Sequence, residues 1–133
     1  MPIHPALRSV VLDCTDAREL AEFYRELLGL TYRPGDEPEA AAPDADWLVL
    51  RGAGVAVAFQ QVAALPPATW PEGPVPQQLH LDMTVADEAE LAEAHDRALS
   101  LGARELLDRT DDPDEPLYVF ADPAGHPFCI FVA

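Results

Sequence analysis

The sequence has 133 residues, 49% of them hydrophobic, and carries 24 acidic side chains against 8 basic ones, a formal net charge of −16. A chain of this size suits one domain or two small fused modules, with apolar content ample for a packed core. The acidic balance leaves no basic stripe for phosphate contacts, so nucleic acid is excluded as a partner, and an anionic membrane surface would repel the chain.

No run of about 18 apolar residues occurs, so no membrane span is expected. The opening MPIHPALRSV lacks a basic region followed by a long apolar core and does not read as a signal peptide. The two cysteines, Cys14 and Cys129, lie in apolar runs, too few for a disulfide framework and best read as reduced and buried. A cytoplasmic protein is expected. Many of the acids fall in the loops GDEPEAAAPDAD and TDDPDEP. They serve solubility on one reading and attract cationic ligands on the other.

In chain order, the first predicted element is a strand, LRSVVLDC, residues 7–14. Asp16 and Glu19 then have capping-box spacing, and Leu20, Phe23, Tyr24, Leu27 and Leu28 form a one-sided helical stripe that Gly29 ends. A short strand LTYR and an acidic, Pro-rich loop (34–46) follow. DWLVLRGAGVAVAFQQV reads as a hairpin turning at RGAG. Residues 63–76, AALPPATWPEGPVP, read as an extended, poorly hydrogen-bonded linker.

The order then repeats. QQLHLDMTV (77–85) alternates apolar and polar residues as a strand with one buried face. Asp87 and Glu90 repeat the cap, Leu91, Ala94, Ala98 and Leu99 give a thinner stripe, and Gly102 ends the helix. ARELLD, a loop at 110–116, and the hairpin PLYVFADPAGHPFCIFVA complete the second copy. An offset of 71 residues lays Asp16 on Asp87, Glu19 on Glu90, Leu28 on Leu99 and Arg33 on Arg104. The fold class is therefore α+β: two tandem βαβββ modules, 1–62 and 77–133. They are expected to form a curved, partly closed mixed sheet around a central cavity, with the helices outside.

FYRELLGL, HLDMTV and DPAGHPFCIF, set in this tandem pattern, resemble the vicinal oxygen chelate superfamily. That group includes glyoxalase I, bleomycin-resistance proteins, fosfomycin-resistance enzymes and extradiol dioxygenases. The resemblance spans nearly the whole chain and is nearest to glyoxalase-like bacterial proteins. It implies four cavity-facing metal positions. Carried over, these are Ser9 and His80 on the first strands, Cys129 on the last, and Ala58 or, with a shifted register, Gln60. His80 alone fits the pattern cleanly. A divalent ion needs about three or four good donors. No cofactor is therefore expected, although a divalent metal at His80 stays open.

Strand phase supplies the rest of the expected lining. Asp13 and Val11 go with Ser9; Gln78, Asp82 and Thr84 go with His80; Phe131 goes with Cys129. Repeat symmetry pairs Trp47 with Tyr118 and Val49 with Phe120 as inward residues, leaving Leu48, Leu50, Leu117 and Val119 to the helices. Trp70 in the linker is expected over the mouth. Aromatic walls with carboxylates suit a flat or cationic organic ligand. The expected function is a glyoxalase-like small-molecule-binding protein of the bleomycin-resistance type, without a complete catalytic metal site. The alternative is a lyase, isomerase or dioxygenase, with or without metal, in which His80 is ligand or general base and Asp82 or Asp13 supports it. Exposed strand edges also suggest a homodimer.

Overall fold

Asp16 and Asp87 start the two helices as their spacing predicts. The Glu19 N–H donates to Asp16 Oδ1 at 3.0 Å and the Glu90 N–H to Asp87 Oδ1 at 2.8 Å. Each bond satisfies one of the helix's orphan donors. Gly29 and Gly102 close them with φ of 67° and 115°, a left-handed conformation that favours glycine.

The computed structural model describes all 133 residues and divides them into two compact units, Met1–Leu65 and Pro66–Ala133. Unit 1 contains β1 (Ser9–Cys14), α1 (Ala17–Leu28), β2 (Thr31–Tyr32), β3 (Trp47–Arg51) and β4 (Ala56–Gln61). Unit 2 contains β5 (Leu81–Val85), α2 (Glu88–Leu101), β6 (Arg104–Arg109), β7 (Leu117–Ala121) and β8 (Pro127–Val132). The sheets have equivalent orders, β1-β4-β3-β2 and β5-β8-β7-β6, with the first pair parallel and the others antiparallel. The α+β class and the twice-repeated βαβββ order hold.

In unit 1 the core lies between α1 and one sheet face. Tyr24 stacks on Phe59 and meets Phe23 edge to face, and Leu12, Leu20, Leu48 and Leu50 are buried with them. Leu28, read as part of the stripe, is exposed. Asp36, in the acidic loop, is buried. Its Oδ2 accepts the Val49 N–H at 2.9 Å and pairs with Arg33 Nη2 at 3.0 Å, pinning the loop to β3.

Unit 2 has an aromatic core. Phe120 stacks on Phe128 at 5.0 Å between centroids, and Tyr118 lies under the His95 ring of α2 at 4.2 Å. This corrects the expectation that Tyr118 and Phe120 face away from the helix. Both face α2, while Val119 has the opposite face. The segment read as an extended linker is also partly closed. The Thr69 N–H donates to Val75 O at 2.6 Å, and the Val75 N–H donates to Thr69 Oγ1 at 2.9 Å. Gly125, at φ 96°, leaves space that Pro67 occupies, so residue 67 packs on the β7–β8 turn.

His95 occupies the sheet-facing side of α2 between Leu91 and Ala98. Its Nε2 lies 2.6 Å from Glu105 Oε1 and its Nδ1 3.2 Å from Asp96 Oδ1. Burial works against the charged ring, but the two carboxylates outweigh it and raise His95 above the usual histidine range. A raised folded-state value makes this a stabilising term that is complete below the unfolded value of about 6.5 and is lost as pH climbs through the folded value. Thermal melts of the wild type and Glu105→Gln should therefore differ more near pH 6 than near pH 9. Equal differences at both would remove the imidazolium from the account.

Candidate functional site

The face of each sheet opposite its helix carries the candidate residues. In unit 1 the register sets Asp13 beside Gln60 and Gln60 beside Trp47, then Val11 beside Ala58 and Ala58 beside Val49, then Ser9 beside Ala56. Directly paired residues share a face. Asp13, Trp47, Gln60, Ser9 and Ala58 are therefore brought together on one surface, as the strand phase implied. Ala58 is buried and offers no donor atom, and Ser9 offers only a neutral hydroxyl. A hollow of about 330 Å³ opens on this face between Arg8, Ser9, Arg33, Trp47, Val49, Arg51 and Ala56.

In unit 2 the strand begins at Leu81 rather than at residue 77. Leu81 pairs with Phe128, so the next rung would fall on Pro127, which has no N–H to continue a ladder. His80 thus sits just before β5, half exposed, with Nε2 3.3 Å from Asp82 Oδ1. Asp82 pairs with Cys129 and Thr84 with Phe131, while Val119 lies beside Cys129 and Leu117 beside Phe131. One donor atom each from His80, Asp82 and Cys129 lies within 4.8 Å of the others. A small pocket of about 60 Å³ is walled by Trp70, Gln77, His80, Val119, Pro127 and Cys129. Gln77 Oε1 is buried there without a hydrogen-bond partner.

Trp70, expected over the mouth of a central cavity, lines this small pocket of unit 2. Gln78 is exposed, and its neighbour Gln77 takes its place in the pocket. Phe131 shares the Cys129 face, whereas Tyr118 and Phe120 belong to the core behind it. His126 is a turn residue: its N–H and that of Ala124 both donate to Asp122 Oδ1. Burial, with the Asp82 carboxylate alongside, pushes the Cys129 thiol up to about 11. The sequence reading missed Val119 and Gln77, and also Arg8, Arg33 and Arg51 in unit 1. The alternation Trp47, Val49, Arg51 along β3 was the available signal for Arg51.

The family model described as a glyoxalase-like domain matches residues 9–131. The chain belongs to the glyoxalase-like family. Within the vicinal oxygen chelate superfamily, its fold is shared by a glyoxalase/bleomycin resistance protein/dioxygenase family enzyme from Burkholderia phytofirmans PsJN. That structure has a TM-score of 0.72 at 15% identity, over 96% of this chain and 98% of that one. A glyoxalase/bleomycin resistance protein/dioxygenase from Nocardioides gives 0.67 at 20% identity, over 99% and 85%. A lactoylglutathione lyase from Agrobacterium tumefaciens gives 0.64 at 19% identity, over 96% and 93%. At such identities the likeness is one of fold. No curated protein matches the sequence. No helix of this glyoxalase-like chain is long and apolar enough to cross a membrane.

For a divalent ion, the donor set of unit 2 is the test. An imidazole, a carboxylate and a thiol suit a zinc-type ion better than a hard one such as magnesium. Three such donors are the number a catalytic zinc ion takes from its protein, and Gln77 supplies an unpartnered oxygen in the same pocket wall. The residues of unit 2 therefore fit one such ion, whereas the Ser9 and Ala58 positions of unit 1 do not.

Proposed function

We propose that this chain is a small-molecule-binding protein of the glyoxalase/bleomycin-resistance type, with no complete catalytic metal site on the superfamily pattern. One observation carries the reading: the helix-free face of unit 1 has lost its donors at Ser9 and Ala58, yet it keeps a hollow of about 330 Å³ beside Trp47. That volume is at the lower end of the roughly 300–1,000 Å³ usual for ligand pockets. Elemental analysis of the purified protein tests the metal half of the reading, with substoichiometric metal expected. A thermal-shift screen of small aromatic compounds tests the other half. A ligand present at about 100 times its Kd should raise the midpoint by roughly 10 °C. Stoichiometric metal that is lost in His80→Ala would overturn the reading.

The convergence of His80, Asp82 and Cys129 favours a second reading, an enzyme of the lyase, isomerase or dioxygenase kind. A zinc-type ion held by these three side chains would supply Lewis-acid polarisation of a substrate carbonyl. Without it, His80 takes a proton from a carbon next to a carbonyl, and Asp82, 3.3 Å away, orients the ring and steadies its charge. Trp70 and Val119 keep the pocket apolar beside it. Loss of turnover in both His80→Ala and Asp82→Asn, with ligand binding intact, would favour the enzyme over the binder.

A further inference from the structure

We propose that the hollow of unit 1 is a site for a planar organic oxyanion, with Arg8 and Arg51 holding the anionic group and Trp47 stacking on the flat body. The proposal rests on the small-molecule reading above and adds the sign of the ligand's charge, which is opposite to the sign that the overall composition suggests.

The chain has only 8 basic residues, all arginine, against 24 acids. Three of the eight, Arg8, Arg33 and Arg51, line this one hollow, and its wall contains no Asp or Glu. The topology brings them together from far apart in sequence. Trp47, Val49 and Arg51 alternate on β3 and so share its helix-free face. Arg33 follows β2, with its N–H donating to Val49 O at 2.9 Å. Arg8 precedes Ser9, which pairs with Ala56 on the same floor.

Most other arginines are already answered by a partner. Arg25 binds Glu22 and Glu26, Arg109 pairs with Asp112, and Arg33 is held by Asp36. The guanidinium groups of Arg8 and Arg51 make no ion pair and no hydrogen bond. Two guanidinium groups on one hollow with no acid paired to either, in a chain with a threefold excess of acids, repel one another until an anion arrives. Guanidinium forks match the two oxygens of a carboxylate or the three of a phosphate. Trp47 is 38% exposed, which leaves an indole surface free for a flat ring, and Ser9, Val49 and Ala56 are small enough to leave room for one. Asp36 fixes Arg33 and partly neutralises it, so Arg8 and Arg51 provide most of the unspent charge.

Calorimetric titration with 2-naphthoate, 2-naphthyl phosphate and the neutral 2-naphthamide tests this. One equivalent of an anionic probe should bind per chain, with naphthamide about tenfold weaker or worse. Whichever anion binds tighter identifies carboxylate or phosphate as the natural group. Arg8→Gln and Arg51→Gln should each weaken the anion about tenfold without weakening the amide, and added salt should weaken it further. Trp47→Ala should weaken all three probes, and Arg97→Gln on α2 should change nothing. Equal affinity for naphthoate and naphthamide, or anion binding untouched by both arginine changes, overturns the anion site and leaves the small-molecule reading standing. Failure of all three probes overturns the site as well. A thermal-shift panel of neutral and cationic aromatics then shows whether the small-molecule reading falls with it.

Discussion

Phe120→Ala will destabilise the protein by about 3–5 kcal/mol, as expected when a fully buried aromatic is truncated to leave a cavity. Phe120 has no exposed surface, stacks on Phe128 at 5.0 Å, and lies 5.8 Å from both His95 and Tyr118. Collapse around the gap is limited, because β7 and β8 hold Phe128 in register and α2 holds His95 above it. For a domain whose total stability is of the order of 5–15 kcal/mol, a loss of this size brings unfolding close to ambient conditions. Trp47→Ala, on the helix-free face of unit 1, should cost under about 2 kcal/mol, because a partly exposed ring loses less on truncation. Urea titration gives both values from the shift in midpoint at constant slope. A near-wild-type midpoint for Phe120→Ala would return this side chain to the ligand face, where the simple repeat offset had put it.

That misplacement shows where sequence reasoning stops. The caps at Asp16 and Asp87 and the stops at Gly29 and Gly102 are local chemistry, so they were legible at once. The face shared by Ser9, Val11 and Asp13 on β1 was also legible, since alternation within a strand needs no tertiary information; that Gln60 and Trp47 join it follows from the strand pairing. The offset of 71 residues holds through the helices, but the loops that follow differ: residues 34–46 in one unit and 110–116 in the other. A register shift between Glu105 and Leu107 adds a further irregularity in β6. The match slips by one before β7, so that Tyr118 and Phe120 correspond to Leu48 and Leu50. A slip of one residue reverses every side chain of a strand. His95 was left out of the α2 stripe for a different reason. Read as polar, it left the α2 stripe looking thin, whereas the folded chain uses its ring as core and its nitrogens as ion-pair partners. The arginines of unit 1 could not be grouped from sequence at all, because only the pairing of β1, β4, β3 and β2 sets residues 8, 33 and 51 around one hollow.

Cys129 should alkylate with iodoacetamide about 100-fold more slowly at neutral pH than an ordinary cysteine, from thiolate fraction alone. Its thiol is raised from 9.0 to about 11 by burial and then by the Asp82 carboxylate, and the residue is only 9% exposed. The rate should climb about tenfold per pH unit until it levels off near the thiol's own value, since only the thiolate reacts. Asp82→Asn removes the neighbouring charge, and the plateau should then begin at lower pH. Mass spectrometry of the peptide carrying Cys129 separates it from Cys14, which is also buried. Fast alkylation at neutral pH would mean that the thiol is ionised or open, and the description of this pocket would fail. The same proton discriminates between the two functional readings. An ion seated on His80, Asp82 and Cys129 must displace it, so zinc affinity in the enzyme reading rises with pH and loses that slope in Cys129→Ser. A binder that leaves the thiol protonated has no such slope.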